Sequence, residues 1–268
     1  MKAVKLKRSG LVTSRLGFGT SRLHWCEPKV RRRLIDAAID AGFVHMDTAP
    51  AYGDTLSETE LGRALYGRRD KVVLATKYGL PVDPYIVAVP QLSNALRTAR
   101  ALSRKIRSQS KKQPLTPSEL RRSLELSLRR LRTDYVDLFL LHEPAPERIP
   151  DLSSLRDALA ELKHSGLARH VGLAGDWNGI APLESWAGPL DPVIQTGEQQ
   201  WLSQQVPDIT FGALAAGPQT IGQKSLPPAE AGSRLTVALN RRPDGVVLVS
   251  TTKPERLLDL AAFAERAI

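Results

Sequence analysis

Thr116-Pro117-Ser118-Glu119-Leu120-Arg121-Arg122-Ser123-Leu124-Glu125-Leu126-Ser127-Leu128-Arg129-Arg130-Leu131, followed by Asp134-Tyr135-Val136-Asp137-Leu138-Phe139-Leu140-Leu141-His142, changes its hydrophobic period partway along. Leu120, Leu124, Leu128 and Leu131 fall on one helical face. From Val136 the chain becomes a short continuous apolar run, the pattern of a strand buried on both faces. The helix start is readable as well: Thr116 is placed to cap, Pro117 suits the first helical position, and Glu119 completes a Thr-x-x-Glu box.

The same alternation extends in both directions. Strands are expected at Leu16–Thr20, Phe43–Asp47, Val72–Thr76, Val136–Leu141, His170–Ala174, Pro192–Gln195, Ile209–Ala213 and Val246–Val249. Helices are expected near Lys29–Ala41, Glu58–Leu65, Ser118–Leu131, Leu152–His164, Ile180–Trp186, Glu230–Arg241 and Pro254–Ala267, with Gly166 as a C-cap behind Lys163 and His164. Strand and helix in turn predict an α/β fold with a parallel sheet, and eight strands fit either a (β/α)8 barrel or an open sheet. Gly17-Phe18-Gly19 lacks the third glycine of an open-sheet dinucleotide turn. With 268 residues and no convincing internal boundary, one domain over residues 1–268 is expected.

The formal charge of +10 is concentrated in one segment. No Asp or Glu occurs between Pro84 and Ser118, where Arg97, Arg100, Arg104, Lys105, Arg107, Lys111 and Lys112 supply most of the excess. Leu92, Leu96, Ala99, Leu102 and Ile106 recur at helical spacing, so residues 91–109 are expected to form a basic amphipathic helix, part of an insert at about 80–116 that covers the catalytic face or packs on its rim. No stacking aromatic is interleaved with these charges, so neither nucleic acid nor a membrane is the expected partner. The opening Met1–Lys7 has no continuous apolar region, no run approaches the length of a membrane span, and Cys26 stands alone, all of which point to the cytoplasm. The five histidines and one cysteine show no metal-ligand spacing, so no metal is expected.

Four polar residues stand at or just past strand ends: Asp47, Tyr52 in the loop beyond it, Lys77 and His142. In a barrel these ends share one face. Reducing a carbonyl requires a proton donor at oxygen; a phenol is a poor acid at neutral pH, and a neighbouring ammonium favours phenolate. Tyr52 is therefore expected to be the general acid, Lys77 to lower its pKa, Asp47 to hold Lys77, and His142 to orient the carbonyl or share the proton.

Gly42-Phe43-Val44-His45-Met46-Asp47-Thr48-Ala49-Pro50-Ala51-Tyr52-Gly53, with Ser57-Glu58-Thr59-Glu60-Leu61-Gly62 behind it, resembles the signature of the aldo-keto reductases, and so do Leu74-Ala75-Thr76-Lys77-Tyr78-Gly79 and Asp134–His142. The resemblance implies a TIM barrel closed below by a hairpin at Val4–Val12, an NADPH-dependent carbonyl reductase or alcohol dehydrogenase with a small-molecule substrate, and NADH as a possible substitute. It places Gly19 and Thr20 near the cofactor, Gln195 on the nicotinamide amide, Phe211 near the nicotinamide face, and Ser250, Thr251, Thr252, Lys253 and Arg256 around the adenosine phosphate. Trp25 and Trp177 are expected to line the substrate pocket, with His24 and Trp201 on the same face. His45 is expected to be structural.

The chain departs from the family pattern where Gly-Val-Ser-Asn is usual. Gly172-Leu173-Ala174-Gly175-Asp176 lacks both hydrogen-bonding side chains, Phe211 is one position displaced, and no pocket-shaping segment follows the last helix within these residues. A non-catalytic dinucleotide-binding or regulatory protein of the same fold is the alternative.

Overall fold

The computed structural model describes residues 1–83, 113–200, 206–215 and 226–266. The basic segment expected at 91–109 and Trp201 lie outside them. Ten strands run through the described residues: β1 (Ala3–Lys5), β2 (Val12–Ser14), β3 (Leu16–Gly19), β4 (His45–Asp47), β5 (Val73–Tyr78), β6 (Val136–His142), β7 (Ala168–Gly175), β8 (Val193–Gly197), β9 (Ile209–Phe211) and β10 (Val246–Val249). The last eight close into a parallel barrel in chain order, because β10 pairs both with β9 and with β3. The open-sheet alternative is thereby excluded.

Alternation along each strand divides the apolar residues into two layers. Val73, Ala75, Leu138, Leu140, Val193, Ile209, Val246 and Leu248 fill the barrel interior. Leu74, Phe139, Leu141 and Val247 face outward into the shell beneath the helices. This explains why β6 is apolar at nearly every position: both of its faces are buried. β1 and β2 form the expected antiparallel hairpin, and Val4, Leu6 and Leu11 join the interior cluster to plug its lower end.

The principal helices are α1 (Pro28–Asp40), α2 (Leu56–Ala64), α3 (Pro117–Leu131), α4 (Leu152–His164), α5 (Trp177–Ile180), α6 (Glu184–Ala187), α7 (Pro228–Arg241) and α8 (Glu255–Arg266). Two expectations are corrected here. Pro117 does open α3, but the Thr116 side chain makes no capping hydrogen bond; its amide donates to the Tyr78 hydroxyl instead, at 3.3 Å. The single helix expected at Ile180–Trp186 is broken: a 3-10 turn at Ala181–Leu183 separates α5 from α6, where Pro182 has no N–H to continue a helical ladder. At α4 the cap comes from Asp151, which accepts from the Ser154 amide, and Gly166 takes the left-handed turn beyond the helix with φ +75°. Among the described residues no helix is long and apolar enough to cross a membrane.

His45 points into the barrel and is fully buried, with Nδ1 3.4 Å from the Thr13 hydroxyl. Burial, opposed by Asp47, lowers its pKa to about 4. The unfolded chain therefore binds a proton between pH 6.5 and about 4 that the folded chain does not, and stability falls as pH falls through that window. Chemical denaturation across it should show a loss of about 3 kcal/mol in the wild type that His45→Gln lacks; identical acid limbs would remove His45 as the cause.

Candidate active site

The strand stagger brings Asp47, Lys77 and His142 to the upper rim. Asp47 pairs in register with Gly19 and Ala75, Lys77 with Leu140, and His142 with Ala174, which in turn faces Gln195. Lys77 and His142 thus belong to the paired ends of their strands rather than to the loops beyond them, and barrel hydrogen bonding fixes their backbones.

Lys77 and Asp47 are 1% and 2% exposed. The ammonium donates to both Asp47 carboxylate oxygens at 2.6 Å and to the Thr48 carbonyl at 2.9 Å. These three bonds use all its protons. Its Nζ lies 5.0 Å from the centre of the Tyr52 ring, and that ring meets His142 edge to face at 5.9 Å. All four expected residues line one cleft of about 290 Å³ with Gly19, Gln195, Phe211 and Ser250, near the lower end of the ~300–1,000 Å³ usual for small-molecule sites.

The electrostatic expectation for Tyr52 is overturned. Burial, reinforced by Asp47 and Glu143, raises the phenol well above its ordinary pKa. Lys77 does not reverse this, because Asp47 meets its charge at contact distance. Burial also lowers the Lys77 pKa, against Asp47, which raises it.

Other expected residues separate into groups. Gln195 is 2% exposed, and its Oε1 has no hydrogen-bond partner among the described residues. An orphaned amide oxygen in a polar cleft fits a ligand that brings an N–H donor. Thr20 is fully buried below the cleft, where its hydroxyl donates to the Asp47 carbonyl. Ser250 donates to the Gly19 carbonyl at 2.7 Å. Thr251 accepts from the Lys253 amide, Thr252 and Lys253 are exposed, and Arg256 reaches the Leu226 carbonyl at 2.8 Å. None of these last four residues lines the cleft.

The pocket assignment of the tryptophans is also corrected. Trp177 is 7% exposed and packs in the apolar shell outside the barrel, because α5 turns it inward beneath the loops. Trp25 is half-buried against His24 and Arg22, beside the cleft rather than in it. In their place the cleft is lined by Ser21, Arg22, Glu143, Gly212, Leu214 and Ala215. The signal for Glu143 was its place directly after a strand-end histidine; nothing in the sequence marked Arg22.

Glu143 leaves β6 in the left-handed region with φ +53°, a conformation that costs a non-glycine residue roughly 1–2 kcal/mol. Arg148 braces it. This buried guanidinium donates to the carbonyls of His142, Glu143, Gly79 and Gln113, tying the β6 exit to the stretches on either side of residues 84–112. Among the described residues no cluster of three or more His, Cys, Asp or Glu could hold a metal ion.

Residues 15–209 match the sequence model of the aldo/keto reductase family. Aldo-keto reductase YhdN of Bacillus subtilis is 28% identical over 235 residues, which cover 81% of this chain and 63% of that protein. The NADH-specific methylglyoxal reductase of Escherichia coli is 28% identical over 65% of this chain and 52% of its own length, so the chain spans about half to under two thirds of these relatives. An aldo-keto reductase from Klebsiella pneumoniae, solved in complex with NADPH, superposes over 99% of this chain and 90% of its own with a TM-score of 0.69 at 22% identity, a likeness of fold. With the match covering most of the chain, and with Asp47, Tyr52, Lys77 and His142 gathered in one cleft of a closed barrel, the chain belongs to the aldo/keto reductase family.

Proposed function

We propose that the chain is a single-domain, cytoplasmic oxidoreductase that moves hydride between NADPH and a small aldehyde or ketone, in either direction. The observation that carries this reading is the convergence of Tyr52, the Lys77–Asp47 pair and His142 on one cleft whose wall holds the orphaned Gln195 oxygen. A bound nicotinamide supplies or accepts the hydride at the carbonyl carbon.

Tyr52 keeps its proton at neutral pH and donates it to the carbonyl oxygen as charge develops there. Lys77, held by Asp47 and Thr48, is a fixed cation beside that oxygen and requires no reorganisation during the reaction. His142 stands edge-on to the phenol and positions the carbonyl against it. Gly19, Gln195, Phe211 and Ser250, which line the cleft, would hold the nicotinamide end. Lys253 and Arg256 at the start of α8 suit a 2′-phosphate, which favours NADPH over NADH, although the relative from Escherichia coli is NADH-specific by name.

The bare Ala174–Gly175 strand end also suits the second reading, a dinucleotide-binding protein without turnover. Single-turnover hydride transfer from NADPH to a generic aldehyde separates the two. Turnover is expected, and Tyr52→Phe should reduce it by at least about 100-fold while NADPH binding and the unfolding temperature hold; undiminished transfer would remove Tyr52 from the mechanism. With the phenol pKa raised, reduction should stay level from neutral pH to about pH 9, whereas alcohol oxidation, which needs phenolate, should climb with pH. A reductive rate that falls across neutrality would contradict this.

Replacing Lys253 and Arg256 together by Gln should weaken NADPH tens-fold or more and leave NADH within about threefold, as judged by calorimetric titration. Equal losses for both dinucleotides would place the 2′-phosphate elsewhere.

A further inference from the structure

The end of β7 enters the cleft without polar side chains, since Ala174 and Gly175 line it. Two other strands flank it. β6 sets His142 opposite Ala174 and delivers Glu143 immediately afterwards; β8 sets Gln195 opposite Ala174 from the other side. The Glu143 amide donates to the Ala174 carbonyl at 2.6 Å, and its Oε2 lies 3.4 Å from the Asp176 amide, so residue 143 is laid along the strand end at both backbone and side chain. A Cβ at Gly175 would stand 2.9 Å from Glu143 Cα and 3.1 Å from both its carboxyl carbon and Oε2. The acidic side chain therefore occupies the space from which a side chain at 175 would emerge, and it lines the same cleft as the buried Gln195 oxygen.

A primary carboxamide nitrogen carries two N–H donors, and Gln195 and Glu143 present two acceptors on either side of one bare strand end. We propose that Glu143 recognises the nicotinamide carboxamide, sharing its –NH2 with Gln195, and that its negative charge makes this cleft hold the oxidised, cationic ring more tightly than the reduced, neutral one. The inference rests on the dinucleotide reading above and adds to it a residue and a redox preference. A hydrogen bond to a carboxylate is stronger than one to a neutral acceptor, and both ring states gain it. Only the oxidised ring gains the Coulomb attraction, which is screened less in a walled cleft than in open water. Lys77 opposes it little, because its charge is met by Asp47. Among the described residues Arg22 also lines the cleft and Arg148 donates to the Glu143 carbonyl; both cations offset part of the carboxylate's field and are present in every variant compared, so differences between variants report Glu143.

The test is calorimetric titration of the wild type, Glu143→Gln and Glu143→Ala with NADP+, NADPH and 2′-phospho-ADP-ribose, which lacks the nicotinamide. Thermal unfolding of each variant shows that it is folded. Glu143→Ala should weaken NADP+ about ten- to a hundredfold and NADPH several-fold, and leave 2′-phospho-ADP-ribose unchanged. Glu143→Gln keeps an acceptor without the charge, so it should hold NADPH within about threefold while the preference for NADP+ drops about tenfold. Equal weakening of all three ligands, or of none, overturns the role of Glu143. A wild type that binds none of the three overturns the dinucleotide reading itself, and the two failures are thereby told apart.

Discussion

Closure of the barrel by β10 against β3 is the constraint on which the rest depends. Val247, Leu248 and Val249 pair with Leu16, Gly17 and Phe18, joining residues from opposite ends of the chain. Without that pairing, β3 and β10 would each present an unpaired row of backbone donors and acceptors, and the interior cluster would be open to water. With it, every strand end on one rim faces a common axis. A parallel barrel thereby places residues separated by tens of positions, such as Asp47, Lys77 and His142, within reach of one ligand.

That rim carries a buried charge pair whose cost the barrel must offset. Removing Lys77 and Asp47 from water is expensive, and their attraction alone offsets it only when geometry is good and the remaining protons are satisfied. Both conditions hold: two 2.6 Å bonds join the pair, and the third lysine proton goes to Thr48. The Asp47 backbone is held in turn by the Thr20 hydroxyl, so a residue below the cleft positions one within it. The result is a cation that is fixed, nearly neutralised at the phenol in this state, and available to a developing negative charge.

Ion pairs away from the cleft do a different job, tying helices to the barrel. Glu58 on α2 is fully buried and bonds both Thr76 on β5 and Arg130 on α3 at 2.6 Å, and Asp137 on β6 is bonded by Arg69, Arg169 and the Leu74 amide. Arg148 carries the same logic to the rim by joining four carbonyls from three stretches of chain. Arg69, Arg130, Arg148 and Arg169 thus act as structural bracing, apart from the basic segment that carries most of the chain's charge excess.

The sequence by itself determined the order and type of the elements, since hydrophobic period is a local property that survives without knowledge of partners. All eight barrel strands and the long helices are legible that way, as are the places of Asp47, Tyr52, Lys77 and His142 on one rim and the burial of His45. Local reading failed where a choice depended on neighbours distant in the chain. Thr116 has the composition of a cap but its amide turns to Tyr78; Trp177 follows a strand on the functional face yet is rotated into the shell; Lys77 was expected to acidify Tyr52 until burial and Asp47 outweighed it. Glu143 and Gly175 lie thirty-two positions apart in the sequence, and no pattern links them. Only the pairing of β6 with β7 brings them together, because side-chain volume and charge are resolved by what occupies the same space, and that is decided by the closed barrel.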